Sequence, residues 1–241
     1  MQAAEEQDKV VRFYDQFAEK QEKTGINSRH LSILDKVKQA GLQAQHRILE
    51  VGCGIGTVSH LLATQVPQGE VLAVDISPES IEKARVLWKK QGNLKFDVSD
   101  MSDFNLPGKT FDFFVFPDVL EHIPVAQHAQ LFKNIQAHAH QDSVLFVHIP
   151  APRYLEWMIA NQPEKLQVID QPLDTGSLVQ TLGAAGFYLE KMETYALFFE
   201  EKDYQYFVFR SSKKLQQSTA KSKWQVLKER ILIRLKYGIT S

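Results

Sequence analysis

The chain of 241 residues contains one cysteine, Cys53, which excludes an internal disulfide framework. No apolar run approaches the roughly 18 residues that a membrane-spanning helix requires. The N-terminus lacks the basic cap and the apolar stretch of a signal peptide. Hydrophobic residues make up 44% of the chain and charged residues 24%, which are ordinary values for a globular protein. We therefore expect a cytoplasmic protein with one large domain, or a domain with an appendage.

Positive charge is scarce in most of the chain and concentrated at its end. From Arg210 onward there are nine Lys or Arg residues and one acid, a charge of +8, whereas the preceding 209 residues carry −9. An acidic body argues against broad nucleic-acid binding, because polyphosphate backbones are bound by clustered cations. The basic tail leaves contact with an anionic partner open.

Three glycines at alternate positions, Gly52, Gly54 and Gly56, mark the most informative stretch. They follow a short apolar run that predicts a buried strand, and they precede a segment typical of a helix. Glycine allows a tight turn and close approach to a ligand, and the helix start presents unpaired N–H groups across that turn. A second strand ends in Asp75, 19 positions after Gly56, the separation at which an acid binds ribose hydroxyls. The spacing is G-x-G-x-G and not the G-x-G-x-x-G of dinucleotide sites.

With Glu50 upstream and Asp100 and 118–122 downstream, this pattern resembles the class I S-adenosylmethionine-dependent methyltransferases over roughly residues 10 to 210. The resemblance implies an α/β fold: a Rossmann-like, doubly wound seven-stranded sheet, mostly parallel with an antiparallel last strand, and helices on both faces. It implies an N-terminal helical cap over the cofactor site (1–45) and a methyltransferase domain (46–211). A basic linker and an amphipathic helix follow (212–241).

The same resemblance implies S-adenosyl-L-methionine as cofactor and S-adenosyl-L-homocysteine as product. The expected cofactor-binding residues lie at the glycine turn and at strand ends: Tyr14, Glu50, Gly52, Cys53, Gly54, Gly56, Asp75, Ile76, Asp100, Met101 and Pro117. Asp97 competes with Asp100 for the adenine amino group, and we favour Asp100. Tyr14, in a segment predicted to be helical over residues 5–23, is expected to cover the cofactor. Arg29 and His30 flank the site by analogy.

The segment after the fourth predicted strand (111–116) carries the candidate catalytic residues Asp118, Glu121 and His122. Ligands of open α/β sheets bind outside the carboxyl ends of the strands, where this segment lies. If the segment is helical, Asp118 and Glu121 share a face. A histidine is the natural base for deprotonating a hydroxyl acceptor, and His148, at the end of the fifth strand, is a secondary candidate. The segment lacks the Asn-Pro-Pro-aromatic signature of enzymes that methylate exocyclic base amines.

The same three residues are similar to the Glu-x-x-Glu-His segment of ubiquinone-type O-methyltransferases and small-RNA 2′-O-methyltransferases, in which acids and a histidine hold a divalent cation. This chain has Asp118 in place of the first Glu, and it has no histidine near Asp170-Gln171, where the RNA enzymes supply one. A divalent cation is therefore possible but not favoured. Glu121 and His122 also fit a purely structural role, as an acid at a helix start and a buried imidazole.

An insertion over residues 150–175 is rich in large side chains and is expected to cover the acceptor. We assign substrate contacts there to Tyr154, Trp157, Asp170 and Gln171. The alternative is that the insertion is a structural cover that closes the sheet and contacts no substrate. The remaining histidines, His46, His60, His128, His138 and His140, are interpreted as surface or helix residues.

Near the C-terminus, apolar residues recur at spacings of three and four: Trp224, Leu227, Ile231 and Leu235. With basic residues around them they predict an amphipathic helix. It could pack on the domain, form a homodimer or contact an anionic membrane surface, and the first two are favoured.

The leading functional hypothesis is methylation of oxygen, in a hydroxyl or a carboxylate, on a small-molecule acceptor. RNA 2′-O-methylation is an alternative that the acidic body weakens. A cofactor-binding partner subunit without catalysis is another.

Overall fold

The structure, a computed structural model, describes residues 22–212 and 219–238. The helices are α1 (Ser28–Gln39), α2 (Thr57–Gln65), α3 (Pro78–Leu87), α4 (Val125–Ala137), α5 (Pro152–Asn161), α6 (Thr175–Ala184) and α7 (Lys223–Lys236). The strands are β1 (Arg47–Val51), β2 (Glu70–Asp75), β3 (Leu94–Val98), β4 (Phe111–Pro117), β5 (Ala139–Pro150), β6 (Phe187–Tyr195) and β7 (Tyr204–Ser211). Short 3₁₀ turns follow β4 (Leu120–His122) and α5 (Pro163–Lys165).

The strands form one seven-stranded sheet in the order β3-β2-β1-β4-β5-β7-β6. Strands β1 to β5 are parallel to one another, whereas β7 is antiparallel to both β5 and β6. The order reverses between β1 and β4, which makes the carboxyl ends of these strands the expected ligand crevice. The predicted doubly wound sheet with an antiparallel last strand is confirmed.

The central strand β4 is apolar on both sides because both faces of the sheet are covered. Phe113 and Val115 pack with α1, α2 and α3 on one face, and Phe114 and Phe116 pack with α4 and α6 on the other. These four side chains are at most 1% exposed. The two hydrophobic cores therefore fix β4 on both sides, and with it the segment that follows Pro117.

Three structural expectations from the sequence need correction. Strand β5 begins at Ala139 and not at Ser143, because polar residues such as Asp142 continue the strand at a half-exposed end. The segment after Pro117 is not an α-helix, since Asp118 adopts a left-handed backbone (φ 53°) and only a 3₁₀ turn follows. Helix α7 forms as predicted, but it does not pack on the domain, because none of its described residues is buried. Most of the segment predicted to be helical over residues 5–23, including Tyr14, lies outside the described residues.

Candidate active site

The glycine turn between β1 and α2 has a backbone that only glycine adopts without strain. Gly52, Gly54 and Gly56 have φ values of 75°, 53° and 79°. A Cβ on Gly52 would lie 2.2 Å from Cγ2 of Val119. The amide of Gly52 donates to the carbonyl oxygen of Val74 at 2.8 Å, which holds the turn against the end of β2. The turn therefore presents bare backbone beside the end of β4.

The carboxylate of Asp75 is oriented by backbone donors at the end of β2. Its Oδ2 accepts from the amide of Gly54 at 2.7 Å and its Oδ1 from the amide of Ser77 at 2.9 Å. Asp75 is 8% exposed. Both oxygens are thus fixed next to the glycine turn.

A cavity of about 920 Å³ lies at the carboxyl ends of the parallel strands and collects most of the predicted site residues. Its lining includes Gly52, Gly54, Asp75, Ile76, Asp100, Met101, Pro117, Asp118, Glu121, His122, Tyr154 and Asp170. Asp97 is exposed on β3 and is not part of the lining, in agreement with the preference for Asp100.

Glu50 and Cys53 line a smaller cavity of about 120 Å³, which shares Gly52 and Asp118 with the larger one. The side chain of Glu50 is fully buried, and neither of its oxygens has a hydrogen-bonding partner among the described residues. Burial raises the pKa of Glu50 to about 8. Burial likewise raises the pKa of the Cys53 thiol, which disfavours the thiolate. Gly56 lines neither cavity and packs against the ring of Phe96.

Asp118 is held by two basic side chains from distant parts of the chain. Its Oδ2 lies 3.1 Å from Nη1 of Arg29 on α1, and its Oδ1 lies 2.5 Å from Nδ1 of His148 on β5. Burial alone would raise the pKa of Asp118, but His148 and Arg29 together hold it below its usual value. The carboxylate is therefore ionised and compensated, with both oxygens engaged.

His148 continues the network away from the cavity. Its Nδ1 donates to the carboxylate of Asp118. On the other side of the ring, Nε2 lies 2.7 Å from the hydroxyl oxygen of Tyr195. The hydroxyl oxygen of Tyr195 accepts from Oγ of Ser32 at 3.1 Å. The ring of Tyr204 stacks on the imidazole of His148, with ring centroids 4.8 Å apart. His148 is fully buried, so it supports Asp118 and does not line the cavity.

His122 is presented to the cavity as a neutral imidazole. Its Nδ1 lies 2.6 Å from the carbonyl oxygen of Ile169, which can only accept, so Nδ1 carries the proton and Nε2 is the basic nitrogen. Burial lowers the pKa of His122, although Asp170, 3.3 Å from Nδ1, acts in the opposite direction. Nε2 lies 3.8 Å from Oε1 of Glu121.

Glu121 is buried, with 2% exposure. Its Oε2 has no hydrogen-bonding partner within residues 22–212 and 219–238. Burial raises its pKa well above the usual value, and the nearby negative charges of Asp118 and Asp170 add to that shift. Burial thus favours the protonated form of Glu121, which can donate a hydrogen bond.

In the described part of the chain, no group of three or more His, Cys, Asp or Glu side chains is arranged to hold a metal ion. The proposed ligands Asp118, Glu121 and His122 all line the cavity. Asp118, however, is occupied by Arg29 and His148.

The insertion after β5 contributes to the cavity lining, but it does not bring all four predicted substrate residues there. Tyr154 of α5 and Asp170 line the cavity. Trp157 is 44% exposed and lies against Tyr154 and Phe199 outside it. Gln171 supports the backbone instead, since its Nε2 donates to the carbonyl oxygen of Ile123 at 3.1 Å.

The sequence did not identify several contributors to this site. Tyr195 and Tyr204 stand in the antiparallel strands, Ile169 contributes only its backbone carbonyl, and Arg29 was placed by analogy without a role. Alternation along a strand indicates which face a side chain occupies, but the residue that it meets depends on sheet order and register. His128 and His138, interpreted as helix or surface residues, are 3% exposed and hydrogen-bond backbone groups.

Comparison with known proteins places residues 48–142 in the family described as "Methyltransferase domain". Malonyl-[acyl-carrier protein] O-methyltransferase 1 of Ilyobacter polytropus is 32% identical over 99 residues, which cover 41% of this chain and 34% of that protein. Trans-aconitate 2-methyltransferase of Methylobacterium radiotolerans is 28% identical over 153 residues, which cover 61% and 56% of the two chains. The chain thus spans between about a third and just over half of the length of these relatives.

Among solved structures, the chain is similar to magnesium protoporphyrin IX methyltransferase of Synechocystis, whose crystal structure contains S-adenosylhomocysteine. The TM-score is 0.59 at 18% identity, over 85% of this chain and 86% of that one. At this identity the similarity concerns the fold, and it agrees with the strand order described above.

Proposed function

We propose that the chain is a class I S-adenosylmethionine-dependent methyltransferase and that it methylates a hydroxyl oxygen of a small-molecule acceptor. The match of residues 48–142 to the methyltransferase-domain family supports the reaction class. The name of the relative from Ilyobacter polytropus specifies an O-methyltransferase, which supports oxygen as the acceptor atom. Since the chain spans only part of its relatives, their own acceptors are not transferred to it.

The residues around the glycine turn fit the cofactor. Gly52 and Gly54 line the cavity with backbone that carries no side chain, and Asp75 offers two oriented carboxylate oxygens for the ribose hydroxyls. Glu50 is buried, and the ammonium group of the methionyl part would favour its ionised form by offsetting the burial that raises its pKa. Asp100 and Ile76 would contact the adenine. When bound, S-adenosylmethionine supplies an electrophilic methyl group on a sulfonium.

His122 is the residue that we assign as general base, and its geometry is the observation on which the proposal rests. Ile169 fixes the tautomer in which Nε2 is basic. The lowered pKa keeps the imidazole neutral at neutral pH, the form that accepts a proton. In the protonated form that burial favours, Glu121 beside it can donate a hydrogen bond to a second polar group of the acceptor.

The charges around His122 favour a hydroxyl over an anionic acceptor. The carboxylates of Asp118 and Asp170 lie within the same wall of the cavity. The guanidinium of Arg29 is compensated by Asp118. A carboxylate acceptor, or the phosphates of RNA, would meet these carboxylates, and among the described lining residues only Lys165 offers a lysine or arginine charge that no acid compensates.

Methyl transfer from labelled S-adenosylmethionine to a panel of small hydroxyl compounds tests the proposal. In His122→Ala, turnover should fall by about 10²- to 10⁴-fold while cofactor binding persists. His140→Ala is the matched control, because His140 pairs with Asp112 at the opposite end of β4. Equal turnover in His122→Ala and wild type would contradict the assignment. Cofactor binding without transfer to any hydroxyl would favour the non-catalytic alternative.

A further inference from the structure

Helix α7 exposes a large apolar surface for which the described part of the chain offers no cover. Trp224 is 80% exposed and Leu235 73%, and none of its residues is buried. Trp224, Leu227, Ile231 and Leu235 follow the helical period and form a stripe along one side, which we call the α7 stripe. Contiguous exposed apolar surface of this kind marks an interaction site.

The charge around the α7 stripe defines the partner. Six basic residues lie in and next to the helix: Lys221, Lys223, Lys228, Arg230, Arg234 and Lys236. Its one acid, Glu229, is paired with Lys221 at 2.6 Å. The helix is therefore strongly cationic, whereas the preceding body of the chain is acidic. An anionic surface attracts the helix and repels the body.

Each end of the helix carries an aromatic side chain that combines an apolar ring with a polar N–H or O–H group. Trp224 lies in the first turn, and Tyr237, 68% exposed, follows the last. Such rings favour the boundary between apolar chains and polar headgroups. The helix has 14 residues, about 21 Å long, too short to span a bilayer. No helix in residues 22–212 and 219–238 is long and apolar enough to cross a membrane.

We propose that α7 binds in the plane of an anionic lipid surface. The α7 stripe enters the boundary between headgroups and acyl chains, and the Lys and Arg side chains reach the lipid phosphates. Pairing of α7 with the same helix of a second copy is disfavoured, because cations such as Lys228 and Arg234 would then face one another with Glu229 as the only acid.

Flotation of the full chain with phosphatidylcholine vesicles, with and without phosphatidylglycerol, tests this surface. Binding is expected to require phosphatidylglycerol and to weaken with salt. Arg230→Gln/Arg234→Gln should weaken binding by roughly fivefold for each charge removed. Lys89→Gln/Lys90→Gln, which removes two exposed lysines of the body, is the matched control and should bind as wild type does.

Tryptophan fluorescence reports insertion directly. Adding phosphatidylglycerol vesicles should shift the emission to the blue in wild type but not in Trp224→Phe, which retains Trp88 and Trp157. Absence of binding to either vesicle would overturn the proposal. So would equal binding to both compositions, or equal loss in the charge variant and its control. Concentration-dependent dimers without lipid that disappear in Trp224→Ser/Leu235→Ser would assign the α7 stripe to a second copy.

Discussion

Nδ1 of His148 lies 2.5 Å from Oδ1 of Asp118, although the two residues are 30 positions apart. Sheet register explains the proximity, because His148 stands opposite Pro117 in the β4–β5 pair and its carbonyl oxygen accepts from the amide of Asp118 at 2.8 Å. Arg29 holds the other carboxylate oxygen. The end of β4 is therefore tied to β5 and to α1 through one side chain.

Substituting Asp118 by Asn should destabilise the fold by about 2–4 kcal/mol. Asn tolerates the left-handed backbone at this position, so the change removes mainly the charge that compensates Arg29 and binds His148. Denaturant unfolding measures the effect, with Asp103→Asn, at an exposed carboxylate, as control. Equal stability of the two variants would show that the ion pair contributes nothing net.

His30 should make stability fall with acid. Burial and the charge of Arg29 lower its pKa to about 4, and its Nδ1 accepts the amide of Asn27 at the start of α1. Between the unfolded pKa of about 6.5 and the folded value, the unfolded chain binds a proton that the folded chain does not. The free energy of unfolding therefore decreases as pH falls through this window.

Replacing His30 by Gln should reduce that pH dependence by on the order of 1 kcal/mol, since the side chain is partly solvated. Unfolding at a series of pH values compares the variant with wild type. If the free energy of unfolding of the variant and of wild type changed equally with pH between 6.5 and 4, the role given to His30 would be contradicted.

The proposed base predicts the pH dependence of turnover. Because burial lowers the pKa of His122, kcat/KM should be flat near neutral pH and fall only below about pH 6.5. Asp170 opposes this shift, so Asp170→Asn should move the falling limb to more acidic pH. A limb that stays in place or moves towards neutral pH would argue against His122 as the titrating group.

Alanine substitutions at two glycines can separate the cost of a steric clash from the cost of backbone strain. Ala at Gly52 (φ 75°) would both strain the backbone and press on Val119, which together should cost about 2–5 kcal/mol. Gly41 (φ 102°) has open space around its Cβ position, so Gly41→Ala should cost only the strain, about 1–2 kcal/mol.

Unfolding of both glycine variants and of Gly52→Ala/Val119→Ala measures the two contributions. The second substitution should recover part of the loss, because it removes the methyl groups that the new Cβ meets. No recovery, or equal costs at Gly52 and Gly41, would mean that the predicted clash is relieved by movement of the turn.

Local patterns were sufficient to predict the fold and to place several residues that line the cavity. The glycine turn, the acids at strand ends and the apolar strands are encoded within short segments, so Gly52, Asp75 and Asp100 could be placed before the structure was known. The start of β5 was misplaced, because the polar residues from His140 to Asp142 lack the apolar pattern of a strand.

The support behind Asp118 depends on contacts that no local pattern contains. Ser32 and Tyr195 meet across 163 positions, and their meeting depends on the antiparallel return of β6 and β7. The left-handed backbone of Asp118 likewise follows from its tertiary partners, since the sequence offers no glycine there. Long-range register, and not residue type, decided this part of the site.

The central claim is that the glycine turn and Asp75 bind S-adenosylmethionine. Calorimetric titration of S-adenosylmethionine and S-adenosylhomocysteine into wild type, Asp75→Asn and Asp112→Asn tests it most directly. Asp112 is the control because its Oδ2 also accepts a backbone amide, that of Arg47 at 2.7 Å, but at the opposite end of β4. The account predicts micromolar binding, about −8 kcal/mol, in wild type and Asp112→Asn, and its loss in Asp75→Asn. Failure of folded wild type to bind either compound, or undiminished binding by Asp75→Asn, would contradict it.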